Sequence, residues 1–310
     1  MILTHACRLK DFNHTSYAEI RSFEEILKSN MIFRAVEIRD YSELEHVAYV
    51  EDLTIFAAGK DMHETIVSLA NTCKNLYIVV QDPNWSTSLS QIKRDFTLIT
   101  PFRALEGLEV KAAKRQLKYA IPTLSTKYII DHRIVDFGSM LAYNERYVER
   151  YWENAKETSK KSKLPCYVGS LKEDRIGALS SIAREEGVSF YGNFIFEDFA
   201  RMSGSRKGLE KCKFNGRIAP TDVLSVYLAH EEVIFCPDDK IFDLGTSYLR
   251  VGEMCLANAK PIIVSKRKDI LYSLDHLIEE DGRLSWSKFV KDCGTRDLIA
   301  QIKSAYREVI

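Results

Sequence analysis

Glycine and proline are scarce, at 14 and 7 of 310 residues, too few for a collagen-like or linker-dominated chain. No tract of one residue type occurs, which excludes low-complexity disorder. Net charge is missing too: 44 Lys plus Arg balance 44 Asp plus Glu, so no whole-chain field draws the protein to a polyanion or a membrane, and any such site must be local. The seven cysteines, Cys7, Cys73, Cys166, Cys212, Cys236, Cys255 and Cys293, are scattered, odd in number and without a C-x-x-C pair. That argues against a disulfide framework or zinc site and fits a reducing compartment. No apolar run approaches the ~20 residues of a membrane span, and the first residues lack the charged and apolar regions of a signal peptide. A cytoplasmic chain without a membrane partner is expected. There is no H-x-x-x-H pair and no G-x-S-x-G, P-loop or G-x-G-x-x-G motif, so metallohydrolase, serine-hydrolase and standard nucleotide-loop readings fail.

What is present is the composition of an α/β enzyme, 45% hydrophobic and 28% charged, with room for two domains of about 150 residues each. Short apolar runs alternate with segments of helical period, the pattern of parallel βαβ units. In the first half this predicts strands at 32–38, 53–57, 76–80, 96–99 and 128–130, with helices near 17–29, 61–72, 104–117 and 139–154. The lysine-dense run 156–165 ends in Pro165 and marks a boundary. Beyond it the pattern predicts strands at 166–168, 188–191, 213–214, 232–236 and 261–264, and helices near 174–186, 220–230, 246–258, 270–279 and 294–308. Residues 1–165 and 166–292 are thus read as two domains.

In open α/β sheets ligands bind outside the carboxyl ends of the strands. The turn after the strand at 166 is Gly169-Ser170-Leu171-Lys172-Glu173-Asp174-Arg175, where glycine admits close backbone approach and Lys172 and Arg175 supply charge. It suits a diphosphate cradle, or equally a solvated βα turn. Arg250 and Glu253, three apart at the start of a helix, share one face. They read as a ligand-binding pair or as a surface ion pair.

Four segments, in order, carry a resemblance to the phage DNA β-glucosyltransferases. They are Tyr167-Val168-Gly169-Ser170, Val188-Ser189-Phe190-Tyr191-Gly192-Asn193, Phe214-Asn215-Gly216-Arg217-Ile218-Ala219-Pro220 and Leu249-Arg250-Val251-Gly252-Glu253-Met254. The resemblance covers roughly 100 residues. It implies two facing Rossmann-like domains with parallel sheets and a central cleft (GT-B type), with 293–310 a terminal helix returning to the first domain. It also implies a UDP-sugar donor, UDP-glucose or another such as UDP-arabinose. The donor-binding set is then Gly169, Ser170, Lys172, Arg175, Tyr191, Gly192, Arg217, Ile218, Arg250 and Glu253, with Glu19 added from the first helix. In the family the arginine of the fourth segment holds the diphosphate and the glutamate the ribose. The chain departs from the family in a shorter loop after Gly169 and in Lys172 standing where arginine is found; lysine gives a point charge rather than a bidentate grip.

In the first half, Leu76-Tyr77-Ile78-Val79-Val80-Gln81-Asp82 is an apolar strand ending in a carboxylate. The resemblance makes Asp82 the general base that takes the acceptor hydroxyl's proton; Asp82-Pro83-Asn84 is also good turn chemistry. The implied acceptor is double-stranded DNA carrying a hydroxymethylated pyrimidine, 5-hydroxymethylcytosine, modified in the cytoplasm of a phage-infected host cell. Between 91 and 118 stand Lys93, Arg94, Arg103, Lys111, Lys114, Arg115 and Lys118 against three acids. This is either a DNA-backbone patch or the solvated face of an amphipathic helix. Trp85 stacks on or replaces a flipped base, or anchors its loop. Asp238-Asp239 offers Mg²⁺ or Mn²⁺ ligands for a diphosphate, or a solvated turn. A monomer is expected. The alternatives are a UDP-sugar transferase acting on a polysaccharide, lipid or protein hydroxyl, and a non-catalytic relative that binds nucleotide sugar or DNA.

Overall fold

The computed structural model describes residues 1–6, 15–57, 62–80, 91–94, 96–100, 129–134, 160–171, 173–219, 222–237, 249–264 and 274–292, with 148–149, 152–153, 155, 300, 302–303 and 306 besides. Contacts divide the chain into two compact units. One comprises Met1–Asn144, Asp243–Ser247 and Cys293–Ile310; the other comprises Glu145–Phe242 and Tyr248–Asp292.

The first unit holds a six-stranded parallel sheet of β1 (Ile2–His5), β2 (Glu37–Ile38), β3 (Asp52–Ala57), β4 (Asn75–Val80), β5 (Phe96–Thr100) and β6 (Ile129–Ile134), in the order β2-β1-β3-β4-β5-β6. Central parallel strands are covered on both faces, so they read as unbroken apolar runs. In β3 and β4, Leu53, Ile55, Leu76 and Ile78 enter one core, with Ile66, Leu69 and Ala70 of α3 (Glu64–Thr72). Phe56, Tyr77 and Val79 enter the other, with Ile20, Phe23 and Leu27 of α1 (Thr15–Ser29). A short α2 (Tyr41–Leu44) is capped by Asp40, whose carboxylate accepts from Ser42 N–H while Glu43 reaches back to the Asp40 N–H, a reciprocal capping box. Ile302 and Tyr306 complete the second of these cores. Tyr306 is fully buried, 4.3 Å from Tyr77 and 5.1 Å from Phe33 by ring centroids, and shares a 3.0 Å hydrogen bond between its hydroxyl and that of Thr54.

The second unit holds β7 (Cys166–Val168), β8 (Ser189–Tyr191), β9 (Lys213–Phe214), β10 (Glu232–Phe235) and β11 (Lys260–Ile263), all parallel, in the order β11-β10-β7-β8-β9. The chain steps outward from β7 to β9, then returns to lay β10 on the other side of β7. This reversal creates a topological switch point between β7 and β10. The helices are α4 (Glu173–Glu185), α5 (Phe196–Met202), α6 (Val223–Leu228), α7 (Leu249–Leu256) and α8 (Trp286–Asp292). Phe190 of β8 sits at the centre of this unit's core, with ring contacts to Tyr167, Phe194, Phe199 and Phe214 between 4.7 and 6.1 Å.

The expected α/β class with two parallel-sheet Rossmann-like units is what the chain forms. The expected strand at 32–38 pairs only at Glu37–Ile38, because Ile32 and Val36 turn into the core from a loop. β1, α2, α5 and α8 were not expected. Of the expected helix at 270–279, the described part is a single 3-10 turn, Asp275–Leu277.

Candidate active site

The switch point of the second unit selects the loops that follow β7 and β10. After β7 the chain turns at Gly169, whose N–H donates to the Tyr191 carbonyl at 3.0 Å. Gly192 N–H in turn donates to the Gly216 carbonyl at 2.9 Å. Three strand-end loops, those of β7, β8 and β9, are thereby tied into one wall. Gly192 is obligatory there: a Cβ at this position would stand 2.2 Å from the Gly169 carbonyl oxygen. Gly216 turns at φ +74, a backbone region that only glycine enters at no cost. Arg217, exposed, and Ile218, half-buried, follow on the same loop.

Tyr167 forms the floor. Its hydroxyl donates to the Ser170 carbonyl at 3.0 Å and accepts from Arg175 Nη1 at 3.4 Å. Burial pushes the phenol's pKa up, while the positive charges of Arg175 and Arg250 both pull it back. Of the two arginines, Arg175 touches this hydroxyl, while the charge of Arg250, 75 residues away in sequence, reaches it through space. Arg175 comes from the first turns of α4 and Arg250 from the start of α7. Arg250 Nη1 donates to Glu253 Oε2 at 2.6 Å, the carboxylate being 2% exposed and the guanidinium 34%. The Arg250 charge also reaches the hydroxyl of Tyr227 in α6, whose pKa burial raises, Arg250 lowers and Glu253 raises. The result is a cationic floor held from behind by two buried tyrosines and one buried carboxylate, beside loops that present backbone to a ligand. Such a site stabilises phosphate charge.

The structure thus brings together Gly169, Ser170, Arg175, Gly192, Arg250 and Glu253. The Tyr191 side chain goes elsewhere: its hydroxyl lies 3.2 Å from His230 Nε2, while His230 Nδ1 lies 2.7 Å from the Leu164 carbonyl oxygen. Tyr191 contributes to the wall through its carbonyl. Tyr227 was missed, since a tyrosine inside the apolar run Val223–Leu228 reads as core. Arg94 holds the carbonyls of Cys73 and Lys74, the latter at 2.7 Å. Lys93 N–H donates to Asn71 Oδ1 at 2.8 Å. Both residues therefore stand near the amino end of β4, whereas ligand crevices of such sheets open at the carboxyl ends. β4 ends at Val80, two positions before Asp82. Asp82 itself, Trp85, Arg103, Lys111, Lys114, Arg115, Lys118, Lys172, Asp238, Asp239 and the side chain of Glu19 lie outside the described residues.

Among the described residues no three His, Cys, Asp or Glu side chains are grouped to hold a metal ion, and the one buried carboxylate of the site is taken by Arg250. No described helix is long and apolar enough to cross a membrane.

Two Rossmann-like parallel-sheet units are the architecture of the GT-B fold. Within that class the chain is similar in shape to T4 phage β-glucosyltransferase. Against that enzyme in complex with UDP-glucose the TM-score is 0.62 at 14% identity, covering 99% of this chain and 94% of that one. Against its complex with UDP and Mn²⁺ the TM-score is 0.60 at 12% identity, with the same coverage. AviGT4, a glycosyltransferase involved in avilamycin A biosynthesis, gives 0.50 at 9% identity over 99% of this chain and 97% of that one. At these identities the likeness is one of fold. No protein-family model matches the chain, and no curated protein matches it.

Proposed function

We propose that the protein is a UDP-sugar glycosyltransferase that glycosylates the hydroxymethyl group of a modified pyrimidine, 5-hydroxymethylcytosine, in double-stranded DNA. The observation that carries the donor half is the pair of guanidinium groups at the switch point, Arg175 bonded to Tyr167 and Arg250 to Glu253, beside the loops of Gly169, Gly192 and Gly216. The diphosphate lies against these guanidinium groups, joined by Lys172. Glu253 fixes Arg250, and the family resemblance assigns it to the ribose side. Ile218 and Arg217 flank the uracil side.

In the reaction Asp82 takes the proton of the acceptor hydroxyl as its oxygen attacks the anomeric carbon. The bond to the UDP oxygen breaks as the new bond forms, and the electron pair departs with UDP. One displacement inverts the anomeric centre. The cations of the floor neutralise the departing charge, so the leaving group needs no proton donor. A divalent ion, Mg²⁺ or Mn²⁺, adds positive charge at the diphosphate when bound; none of the steps above is assigned to it. Trp85 takes the place of the extruded base, and Arg103, Lys111, Lys114, Arg115 and Lys118 meet DNA phosphates. Lys93 and Arg94 stand near the amino end of β4, where the fold already uses the Arg94 guanidinium, and take no part in this contact.

The test is transfer of label from radiolabelled UDP-glucose and UDP-arabinose to duplex DNA with and without 5-hydroxymethylcytosine. Label confined to the modified duplex is expected, and Asp82→Ala should abolish it while UDP binding persists. Label passing to a polysaccharide, lipid or protein hydroxyl instead would move the acceptor. UDP binding with no transfer to any acceptor would leave a binding protein.

A further inference from the structure

The second unit carries a groove of about 1050 Å³ lined by Ser189 and Tyr191 of β8 and by Lys213 and Asn215 of the β9 strand and its exit. Alternation along these strands explains its polarity. Val188, Phe190 and Phe214 point into the core, so their neighbours fall on the opposite face of the sheet. The lysine run before β7 forms the rim and is fixed in place. Ser162 N–H donates to the Ala229 carbonyl at 2.8 Å, Glu231 N–H donates to the Ser162 carbonyl at 3.0 Å, and His230 is bonded to the Leu164 carbonyl. Lys160, Lys161 and Lys163 are thus held around a strand-like bridge between Ser162 and His230.

The charge of this groove is not cancelled from within. Lys260 is paired with Glu232 at 2.8 Å, and Arg283 stands 3.7 Å from Asp281. Among the described residues no carboxylate lies within ion-pair distance of Lys160, Lys161, Lys163 or Lys213, although Glu231 also lines the groove. The Lys213 charge reaches His230 and, with burial, holds that imidazole below its ordinary pKa. Four uncompensated ammonium groups on flexible stems, with no arginine fork among them, suit a row of charges more than one rigid anion.

We propose that this groove binds the phosphodiester backbone of nucleic acid, as a site separate from the switch point of the same unit. Four phosphate contacts of this kind give binding that weakens steeply with salt and is indifferent to base sequence. The proposal does not depend on the acceptor being DNA.

The experiment is fluorescence anisotropy of a labelled 24-base-pair duplex without modified bases and without UDP-sugar, on the full chain, across a salt series. The pair K163E/K213E should bind about tenfold more weakly near 0.1 M salt, and its slope of log affinity against log salt should be smaller by about 2. The milder pair K163Q/K213Q should show the same direction with a smaller effect, which keeps the test valid if charge reversal disturbs folding. K207E/K211E, the same charge change on exposed lysines outside the groove, should stay within about twofold of the parent chain. Parental affinity in both groove pairs overturns the proposal, as does an equal loss in the control pair. Inorganic pyrophosphate displacing the duplex at micromolar concentration also overturns it, by showing a small-anion site. If label transfer to DNA fails while the groove pairs still lose duplex binding, the acceptor assignment falls and the groove stands.

Discussion

At Gly192 an alanine would carry its Cβ to 2.2 Å from the Gly169 carbonyl oxygen and 2.5 Å from the Phe194 ring. Both the β7 loop and the Phe194 ring must give way, at about 1–3 kcal/mol in the manner of an overpacked core. Gly192→Ala should lower the urea midpoint accordingly and weaken UDP binding at least tenfold, since the displaced loop is the proposed phosphate wall. Tyr227→Phe is a finer probe: it removes a hydroxyl from behind Arg250 without changing shape. It should raise KM for the UDP-sugar several-fold with kcat little changed, because Arg250 loses a neighbouring hydroxyl dipole and keeps its charge. His230 supplies a pH prediction. Its imidazole is disfavoured as a cation by burial first and by Lys213 second, while its bond to the Leu164 carbonyl opposes both. As pH falls below the ordinary value of 6.5, the unfolded chain takes up the proton before the folded one does. Stability should therefore fall from pH 6.5 toward the lowered folded value, then level off. Urea midpoints measured between pH 7.5 and 5 should show this drop, and His230→Gln should flatten it.

Among the elements, the one with the largest consequence for its size is the C-terminal segment that carries Ile302 and Tyr306 into the first unit's core. Tyr306→Ala should cost about 3–5 kcal/mol, the range for a fully buried large aromatic. Tyr306→Phe should cost only about 0.5–1.5 kcal/mol, through the lost bond to Thr54. Calorimetry or chemical denaturation of the first unit's transition checks both. How far each element was legible follows from its surroundings. β3 and β4 are apolar on both faces because both are covered, and such runs announce themselves. β1 does not: four residues ending in Thr4 and His5 look polar, yet both are buried where they pair with Ile55 and Phe56 of β3. α5 and α8 span seven residues each, too few for a helical period to stand out. In the site, the three-residue spacing of Arg250 and Glu253 survives translation into structure, since a helix enforces it. The turn of the Tyr191 side chain toward His230 was not legible, because it depends on a partner 39 positions away.

For the molecule as a whole, zero net charge proves compatible with a concentrated cationic floor and a separate lysine-lined groove, both in the second unit. Balance overall with local excess favours contacts that salt loosens. We propose that the switch point between β7 and β10 holds the diphosphate of a UDP-sugar through Arg175 and Arg250. Isothermal titration of UDP into the parent chain and into Arg250→Ala is the decisive experiment. Removing that guanidinium also leaves Glu253 buried without its cation, so the variant's fold is verified by its melting curve. The account predicts one UDP site in the parent chain and at least tenfold weaker binding in the variant, about 1.4 kcal/mol. A parent chain that does not bind UDP, or a folded variant that binds it equally well, would contradict the account.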